Sequence, residues 1–565
     1  MYLDFTVKIP DVKNKITYRR KGEVDYVYYE YDRDYDKETK KTNPKRSTIG
    51  KKLESDPTRM VPNENYLKYF SAEENDENRE RTERSCCLKI GAWLIIRKII
   101  EEYKFSDLLD KYIGKKDLGL VLDLMAYSLI TEDNAGQYYP DYAFGHPLFT
   151  NRMHIYSDSK VSELLSELPE EAAVGFLNDW NAGRKKEDKI YISYDSTNKN
   201  SQAGDIDIVE FGHPKEDRGL PVFNYAVAYD ADNREPLFYE EYPGSINDVS
   251  QLQYMLGKAE GYGYKNVGFI LDRGYFSKGN ITAMRKKKYD YVIMVKGMKD
   301  LVKKTVLSVK GTFENQWSKH IEPFDVYGIT VKQKLYETDD KESYFHVYHD
   351  IASESEERTN LVKALRKMRN FLKKHENQVR DFGSNIERYF YLHYNEKTGA
   401  YLFSEDRCSV IEEENSLSGY FCLITSEEMT AKEALLLYKS RDASEKLFRG
   451  DKSYLGNRSL RIYGEESAES KIFIEFLALI VRNRIYRYLW KAASEMDSRP
   501  NYMTVPAAMK ELEKIEMVRL TDGRYRLDHA VTRVQKTILG AFDMDAALVK
   551  SYAEELSRML LEAKK

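Results

Sequence analysis

The chain has little of what would place it at once in a familiar class. Only four cysteines occur in 565 residues, Cys86, Cys87, Cys408 and Cys422. None forms a CxxC pair, and an adjacent pair with two distant singles is poor zinc spacing. Reduced thiols in a cytosolic protein are the plain reading. The nine histidines contain no HExxH pair, and His346 and His349, in a strand-like run, read as structural. No GxxxxGK[ST] loop is present, so no nucleoside triphosphate requirement is expected. The opening residues MYLDFTVKIP contain no apolar core of a secretory signal. The most apolar long stretch, Ile472 to Trp490, is interrupted by Glu475, Arg482, Arg484 and Arg487, which makes it a buried helix and not a membrane span. Positive charge is not in excess either. The 89 Lys and Arg face 93 Asp and Glu, for a formal net charge of −4. That excludes a uniformly basic nucleic-acid coat, and any such contact must use local patches.

What is present fits a soluble globular protein of several domains. Hydrophobic residues make up 42% and charged residues 32%, and tyrosine is abundant at 45 residues. Residues 1–70 read as a β-rich module, with Val24 to Tyr31 as a strand and Asn43-Pro44 as punctuation. A polar acidic linker, 71–84, leads to a helical region, 85–185. Cys86-Cys87 is expected at the start of its first helix, and Ser159 as the cap of SKVSELLSEL.

From 186 the texture changes. Ile190 to Asp195, Phe223 to Tyr229 and Leu237 to Tyr239 read as strands, the last two joined as a hairpin. Asn247 to Ala259 is helical, Asn266 to Leu271 a strand, Ser277 to Lys287 helical and Tyr291 to Val295 a fifth strand. The order β-β-β-α-β-α-β is that of an RNase H-like core, a mixed α/β sheet. This core spans 186–300 and resumes over 426–495. Between the halves lies an expected β-rich inserted subdomain, 301–425, with strand-like pieces at 327–334, 344–348, 389–394 and 419–424. A C-terminal helical region, 496–565, carries helices at 505–515 and 545–563. The fold class is therefore α/β: an RNase H-like core interrupted by a β-rich insertion, with a β-rich N-terminal module and helical flanks.

The chemistry gathers at a few acids and bases. Asp195 closes the first core strand and Asp272 the fourth, and functional groups of α/β sheets cluster at the carboxyl ends of strands. Farther on, Tyr438, Arg441, Glu445 and Lys452 fall at i, i+3, i+7 and i+14, offsets that point to one face of a helix. Taken singly, each has a plainer reading. An aspartate after a strand is commonly a turn residue, and Arg441 with Glu445 is the spacing of a surface ion pair. Together they make an oxygen-rich site among phosphate-binding groups. Three close carboxylates repel unless a cation neutralises them. Mg²⁺ suits such a site, because it prefers oxygen and keeps waters and substrate phosphates as ligands. Two such ions about 4 Å apart activate the attacking oxygen and stabilise the leaving one.

Tyr438-x2-Arg441-x3-Glu445-x6-Lys452 resembles the YREK signature of bacterial insertion-sequence transposases of the IS-four superfamily. Asp195 and Asp272 resemble the two aspartates of that family's DDE triad, and a long insertion before the glutamate is also a family feature. The resemblance covers roughly 186–495. It implies that Asp195, Asp272 and Glu445 are catalytic and hold two Mg²⁺ ions, with Mn²⁺ able to substitute. It implies nicking of double-stranded DNA at transposon ends, followed by attack of the freed 3′-OH on target DNA. It assigns Tyr438, Arg441 and Lys452 to phosphates near the cut end, and Lys296, just after the fifth strand, to DNA as well. Synapsis of two ends implies a homodimer in the active complex, acting on the bacterial nucleoid in the cytoplasm. Two alternatives use the same residues: a metal-dependent nuclease that never joins, and a non-catalytic DNA-binding descendant of a transposase. The intact triad argues against the second, since binding alone has no need of three clustered acids.

Weaker signals remain. Lys363, Arg366, Lys367, Arg369, Lys373 and Lys374 lie on one expected helix, and Lys40, Lys41, Lys45, Arg46, Lys51 and Lys52 form an N-terminal patch. Each is a solvated face that gains meaning only beside DNA. Arg285 to Lys288 follows a core helix and suits its C-terminal dipole. Trp317 in the insertion is expected to pack in a core.

Overall fold

The Tyr- and Val-rich start of the chain forms a unit of its own, Met1–Ser85. The computed structural model describes the chain except residues 1, 4–5, 23, 37–40, 54–55, 71–83, 185–188, 213–218, 296–298 and 564–565, and except the side chains of 36, 41, 299, 443–445, 449, 453–454 and 563. In this first unit, strands Val7–Lys8, Ile16–Lys21, Val24–Asp36, Lys41–Lys52 and Arg59–Pro62 make an antiparallel sheet around Val27, Ile49, Met60 and Tyr66. Asn43-Pro44 does not punctuate it. Pro44 pairs with Arg33 inside a long strand. The strand's other neighbour reaches only Gly50–Lys52, so Pro44 sits where the ladder has one side and a missing N–H is tolerated.

The second unit, Cys86–Ala563, opens with a short strand, Cys87–Lys89, which pairs with Glu516–Arg519. Cys87 thus opens a strand just after Cys86, ahead of the first helix, which starts at Gly91. The longer helices that follow are α1 (Gly91–Glu102), α2 (Lys115–Thr131), α3 (Asp158–Glu167) and α4 (Glu170–Ala182). Ser157, not Ser159, caps α3 by accepting from the Lys160 N–H.

The rest of the core is one mixed sheet. Its strands are β1 (Ile190–Asn200), β2 (Val222–Asp230), β3 (Glu235–Pro243), β4 (Val267–Leu271), β5 (Asp290–Met294), β6 (His320–Ile321), β7 (Val326–Lys334), β8 (Glu342–His349) and β9 (Tyr420–Thr425). Their order across the sheet is β6-β7-β8-β9-β5-β4-β1-β2-β3. β1, β4 and β5 are mutually parallel, and β2 and β3 are antiparallel additions to β1. β2 and β4 are buried along their whole length, as expected of strands covered on both faces. Side chains alternate between those faces. Ile270, Val292 and Leu423 pack with one cluster, while Phe269, Leu271 and Ile293 join the main core. Gly268 in β4 lies beneath the Tyr191 ring, where a Cβ would come within 2.4 Å.

Strands of the expected β-rich insertion over 301–425 continue this sheet. β6, β7, β8 and β9 extend it beyond β5. The chain between β8 and β9 forms the long helix α7 (Ile351–Lys374), after α5 (Asp248–Gly261) and α6 (Lys278–Lys286), and a hairpin of Phe390–Tyr394 with Tyr401–Asp406. These share a small core of Leu365, Leu372, Phe382, Ile386, Phe390 and Tyr401. The last core helices are α8 (Ala431–Lys439), α9 (Asp442–Tyr454) and α10 (Glu465–Ser494). α10 packs against α1 to α4 and β3. Among the described residues no helix is long and apolar enough to cross a membrane.

Candidate functional site

β1 runs on to Asn200, so Asp195 lies inside a strand and does not close one. Its neighbour on one side stops short, however. The β4 ladder ends at Tyr194↔Leu271, while the β2 ladder continues through Asp195 to Asn200. Asp195 and Asp272 are therefore the next register step after the last β1–β4 pair, on strands about 4.8 Å apart. Each aspartate is oriented by the backbone beside it. Asp195 Oδ1 accepts from the Ser196 N–H at 2.9 Å, and Asp272 Oδ1 from the Arg273 N–H at 2.7 Å. Their Oδ2 atoms each lie 3.8 Å from the same nitrogen, Arg441 Nη1. The two carboxylates thus face one cationic position and are no more than twice that distance apart. Arg441 is 13% exposed on its side chain, Asp195 17% and Asp272 38%, so the position is walled on most sides but open at Asp272.

The helix expected over 438–452 is two helices. α8 starts at a capping box between Thr430 and Glu433. It ends at Ser440, whose hydroxyl donates back to the Leu437 carbonyl at 2.6 Å. The Arg441 N–H then bonds to Tyr438 O, three residues back. This tight 3₁₀-type turn re-aims the chain before α9. Tyr438 consequently lies in the last turn of α8 and Arg441 at the N-cap of α9, while residues 445 and 452 belong to α9 itself. Tyr438 is buried, 6% exposed, with its hydroxyl donating to Asp272 Oδ1 at 3.4 Å, and the Arg441 guanidinium stands 5.6 Å from its ring centre. Gly450 does not break α9. It lets the Arg482 guanidinium approach, since a Cβ there would fall 2.2 Å from Arg482 Nη1. Lys452 is half-buried. The Glu445 side chain lies outside the described residues, as does all of Lys296. Among the described residues no three His, Cys, Asp or Glu side chains are placed to hold a metal ion.

A second charged cluster on β1 had no place in the sequence reading. Lys199 is fully buried, and its Nζ lies 2.9 Å from Asp451 Oδ2 of α9 and 2.9 Å from Glu475 Oε2 of α10. The first contact is an ion pair in which the oxygen accepts no well-directed hydrogen bond. Asn457 Nδ2 donates to Asp451 Oδ1 at 2.8 Å, and Asn134 Nδ2 to Glu475 Oε1 at 3.0 Å. The ammonium also faces the Tyr225 ring, 4.1 Å from its centre. Burial works to lower the Lys199 pKa, but Asp451 and Glu475 outweigh it and hold the ammonium above its ordinary value. Burial raises Glu475, against the pull of Lys199. The available signal was the charge inside the apolar run 472–490, which the sequence reading used only to exclude a membrane span.

The remaining residues fall outside this site. Lys363, Arg366, Lys367, Arg369, Lys373 and Lys374 are all exposed on α7, opposite the buried Leu365 and Leu372, and Arg369 pairs with Asp406. In the N-terminal patch, Lys45 pairs with Asp34 at 2.8 Å and Arg46 with Glu30 at 3.4 Å; Lys40 and the Lys41 side chain lie outside the described residues. Arg285 pairs with Asp339 and Lys287 with Glu260. Trp317 is not core: it is 76% exposed and stacks on His320. His346 is buried between the hydroxyls of Thr330 and Thr425, each at 2.9 Å. The four cysteines are free thiols.

The family described as "Transposase DDE domain" matches residues 195–481, a span that begins at Asp195 and ends inside α10. Among solved structures, the chain is similar to a cryo-EM structure of a piggyBac transposase synaptic complex with hairpin DNA, at 9% identity over 83% of this chain and 75% of that one, with a TM-score of 0.32. It is also similar to the Drosophila P element transposase strand transfer complex, at 9% identity over 73% of this chain and 98% of that one, with a TM-score of 0.19. Both likenesses are remote. No curated protein matches the sequence.

Proposed function

The chain belongs to the Transposase DDE domain family, and from that premise we propose that it cuts double-stranded DNA at the ends of a mobile element and joins the freed 3′-OH to target DNA. The observation that carries this reading is the pair Asp195 and Asp272, side by side on parallel strands with Oδ2 atoms turned to one cationic position. An RNase H-like core is supported by the sheet: a central strand, an antiparallel pair on one side and two parallel strands on the other, with α5 and α6 as crossovers. The YREK spacing supports membership of the IS-four superfamily.

The donor chemistry fits Mg²⁺. Two hard carboxylate oxygens converge where a cation is already favoured, and Asp195, Asp272 and Glu445 would hold it. When bound, a pair of such ions supplies the charge that activates the attacking oxygen and stabilises the leaving one. The chain's own groups do the positioning. Ser196 and Arg273 N–H groups fix the outer carboxylate oxygens. Arg441 is a bidentate donor that exchanges its carboxylate partners for a DNA phosphate. Tyr438, buried against Asp272, orients that carboxylate. Lys452 faces the phosphate backbone from α9, and the exposed basic stripe of α7 meets duplex DNA beyond the cut. Two copies of the chain hold the two ends.

The test is a joining assay with a pre-cut duplex end bearing a free 3′-OH, supercoiled plasmid and Mg²⁺ or Mn²⁺. Joined product is expected from the wild type and its loss, by at least about 10³-fold, from Asp195→Asn, Asp272→Asn and Glu445→Gln. Cleavage of uncut ends without any joined product would make the protein a nuclease instead.

A further inference from the structure

We propose that the buried Lys199–Asp451–Glu475 cluster is a positioning device: it fixes the register of α9 along β1 and so places Glu445 beside Asp195. The inference rests on the reading of Glu445 as the third acid. Two contacts measure the register. At the start of α9, Arg441 reaches Asp195. Farther along, Asp451 reaches Lys199. From Arg441 to Asp451 a helix rises about 15 Å. From Asp195 to Lys199 a strand advances about 13 Å, and the two side chains share a face of β1. The spans agree, so α9 lies along β1 in the same direction. The backbone of Glu445, about 6 Å beyond Arg441, falls between the two anchors. After α9 the chain is held to the end of the same strand. Asn200 N–H donates to Arg458 O at 3.0 Å, and Leu460 N–H to Asn200 O at 3.0 Å.

Apolar packing alone would leave this register loose. Leu447 and Phe448 anchor α9 in the core, but apolar contact is non-directional. A slip of one residue shifts a helix by about 1.5 Å and turns each side chain by about 100°. That is enough to take a carboxylate out of a shared metal site. A buried ion pair forbids the slip, because it would leave a charge without its counter-ion in the interior. Replacing such a cluster with apolar residues commonly leaves stability intact, so its distinctive contribution is register. Glu475 and Asn134 extend the hold to α10 and to the loop after α2, both outside the site.

The experiment compares full-length wild type with Asp451→Asn, and with the apolar triple variant Lys199→Met/Asp451→Leu/Glu475→Leu, which removes all three charges together. Asp451→Asn keeps a partner for Asn457 and leaves the Lys199–Glu475 pair, so folding is retained; the triple variant serves if it is not. Three quantities are read: thermal midpoint, affinity for a duplex end, and Mn²⁺ binding by calorimetry alongside the Mn²⁺ concentration for half-maximal joining. The expected result is end affinity within twofold of wild type, with Mn²⁺ affinity and half-maximal concentration worsened at least tenfold. A folded variant whose Mn²⁺ binding and joining match the wild type would overturn the positioning role. A wild type that never cuts or joins would instead overturn the transposase reading, and the two failures are therefore distinct.

Discussion

Four residues apart on β1, the chain builds two charged clusters in opposite ways. At Asp195 the contacts to Arg441 are long, 3.8 Å, and the partner aspartate is 38% exposed. At Lys199 the contacts are 2.9 Å and every charged side chain is at most 4% exposed. Both use the same kinds of groups, one cation between two acids. The loose cluster faces water, where a guanidinium exchanges partners at little cost. The tight one is sealed, where exchange would strand a charge in the interior. On the proposed reading the first kind of contact serves chemistry and the second geometry, and one strand carries both.

The comparison breaks most sharply under removal of the two cations. Lys199→Met leaves Asp451 without its buried counter-ion and Glu475 with only the neighbouring Lys471. The expected loss is about 3–5 kcal/mol of unfolding free energy, read by urea denaturation. Arg441→Gln removes the equivalent cation from the open cluster, where Asp272 faces water and Asp195 keeps its hydrogen bond from the Ser196 N–H, and the expected change is about 1 kcal/mol. The same Arg441 variant is expected to lose joining activity heavily. If the two substitutions cost equal stability, the division between a holding cluster and a working one is wrong.

A smaller effect concerns a buried polar group that stays neutral. His346 in β8 is enclosed by Thr330 and Thr425, and burial pushes its pKa from 6.5 down to about 4. In the unfolded chain this imidazole takes up a proton as the pH falls below about 6.5, whereas in the native chain it resists protonation until about 4. The unfolded state therefore binds more protons in that window. Stability is fully present above pH 6.5 and declines as the pH falls towards 4, by about 3 kcal/mol in total. Replacement by Gln, which keeps both hydroxyl partners within reach, is expected to flatten that part of the stability-against-pH curve measured by urea titration. An unchanged slope would show that other groups carry it.

These clusters also show what a sequence yields and what it hides. The β-β-β-α-β-α-β order was legible because each strand is a short apolar run between turn residues. Asp195 and Asp272 were legible by their place after such runs, although β1 continues past Asp195, because nothing local marks where a neighbouring ladder stops. The bend between α8 and α9 was hidden. Helical spacing from Tyr438 to Lys452 is intact, and the tightening shows only in the Ser440 hydroxyl bond to Leu437 O and the Arg441 N–H bond to Tyr438 O. The insertion strands were legible one by one, but their pairing onto β5 is a long-range choice that periodicity does not encode. Glu475 was legible only as a charge inside a buried apolar helix, and nothing local singled out Lys199 or Asp451, because the burial that gives the three their meaning is tertiary. Trp317 erred the other way, a large aromatic expected inside and found outside.

The smallest expected effect discriminates most finely between two roles for one residue. The YREK resemblance assigns Tyr438 to a phosphate. In the structure its ring is buried and its hydroxyl donates to Asp272 Oδ1 at 3.4 Å, a long bond to a partly exposed carboxylate. Such a bond is worth about 1 kcal/mol, less than a well-made hydrogen bond to a charged group, and about fivefold in rate. Tyr438→Phe keeps the ring in its cluster and removes only the hydroxyl. If the hydroxyl orients Asp272, joining at saturating DNA falls about fivefold while the affinity for a pre-cut end is unchanged. If it grips a phosphate, end affinity falls and the saturated rate holds. Single-turnover joining across a range of DNA concentrations separates the two, and a loss confined to affinity would move Tyr438 from the aspartate to the DNA.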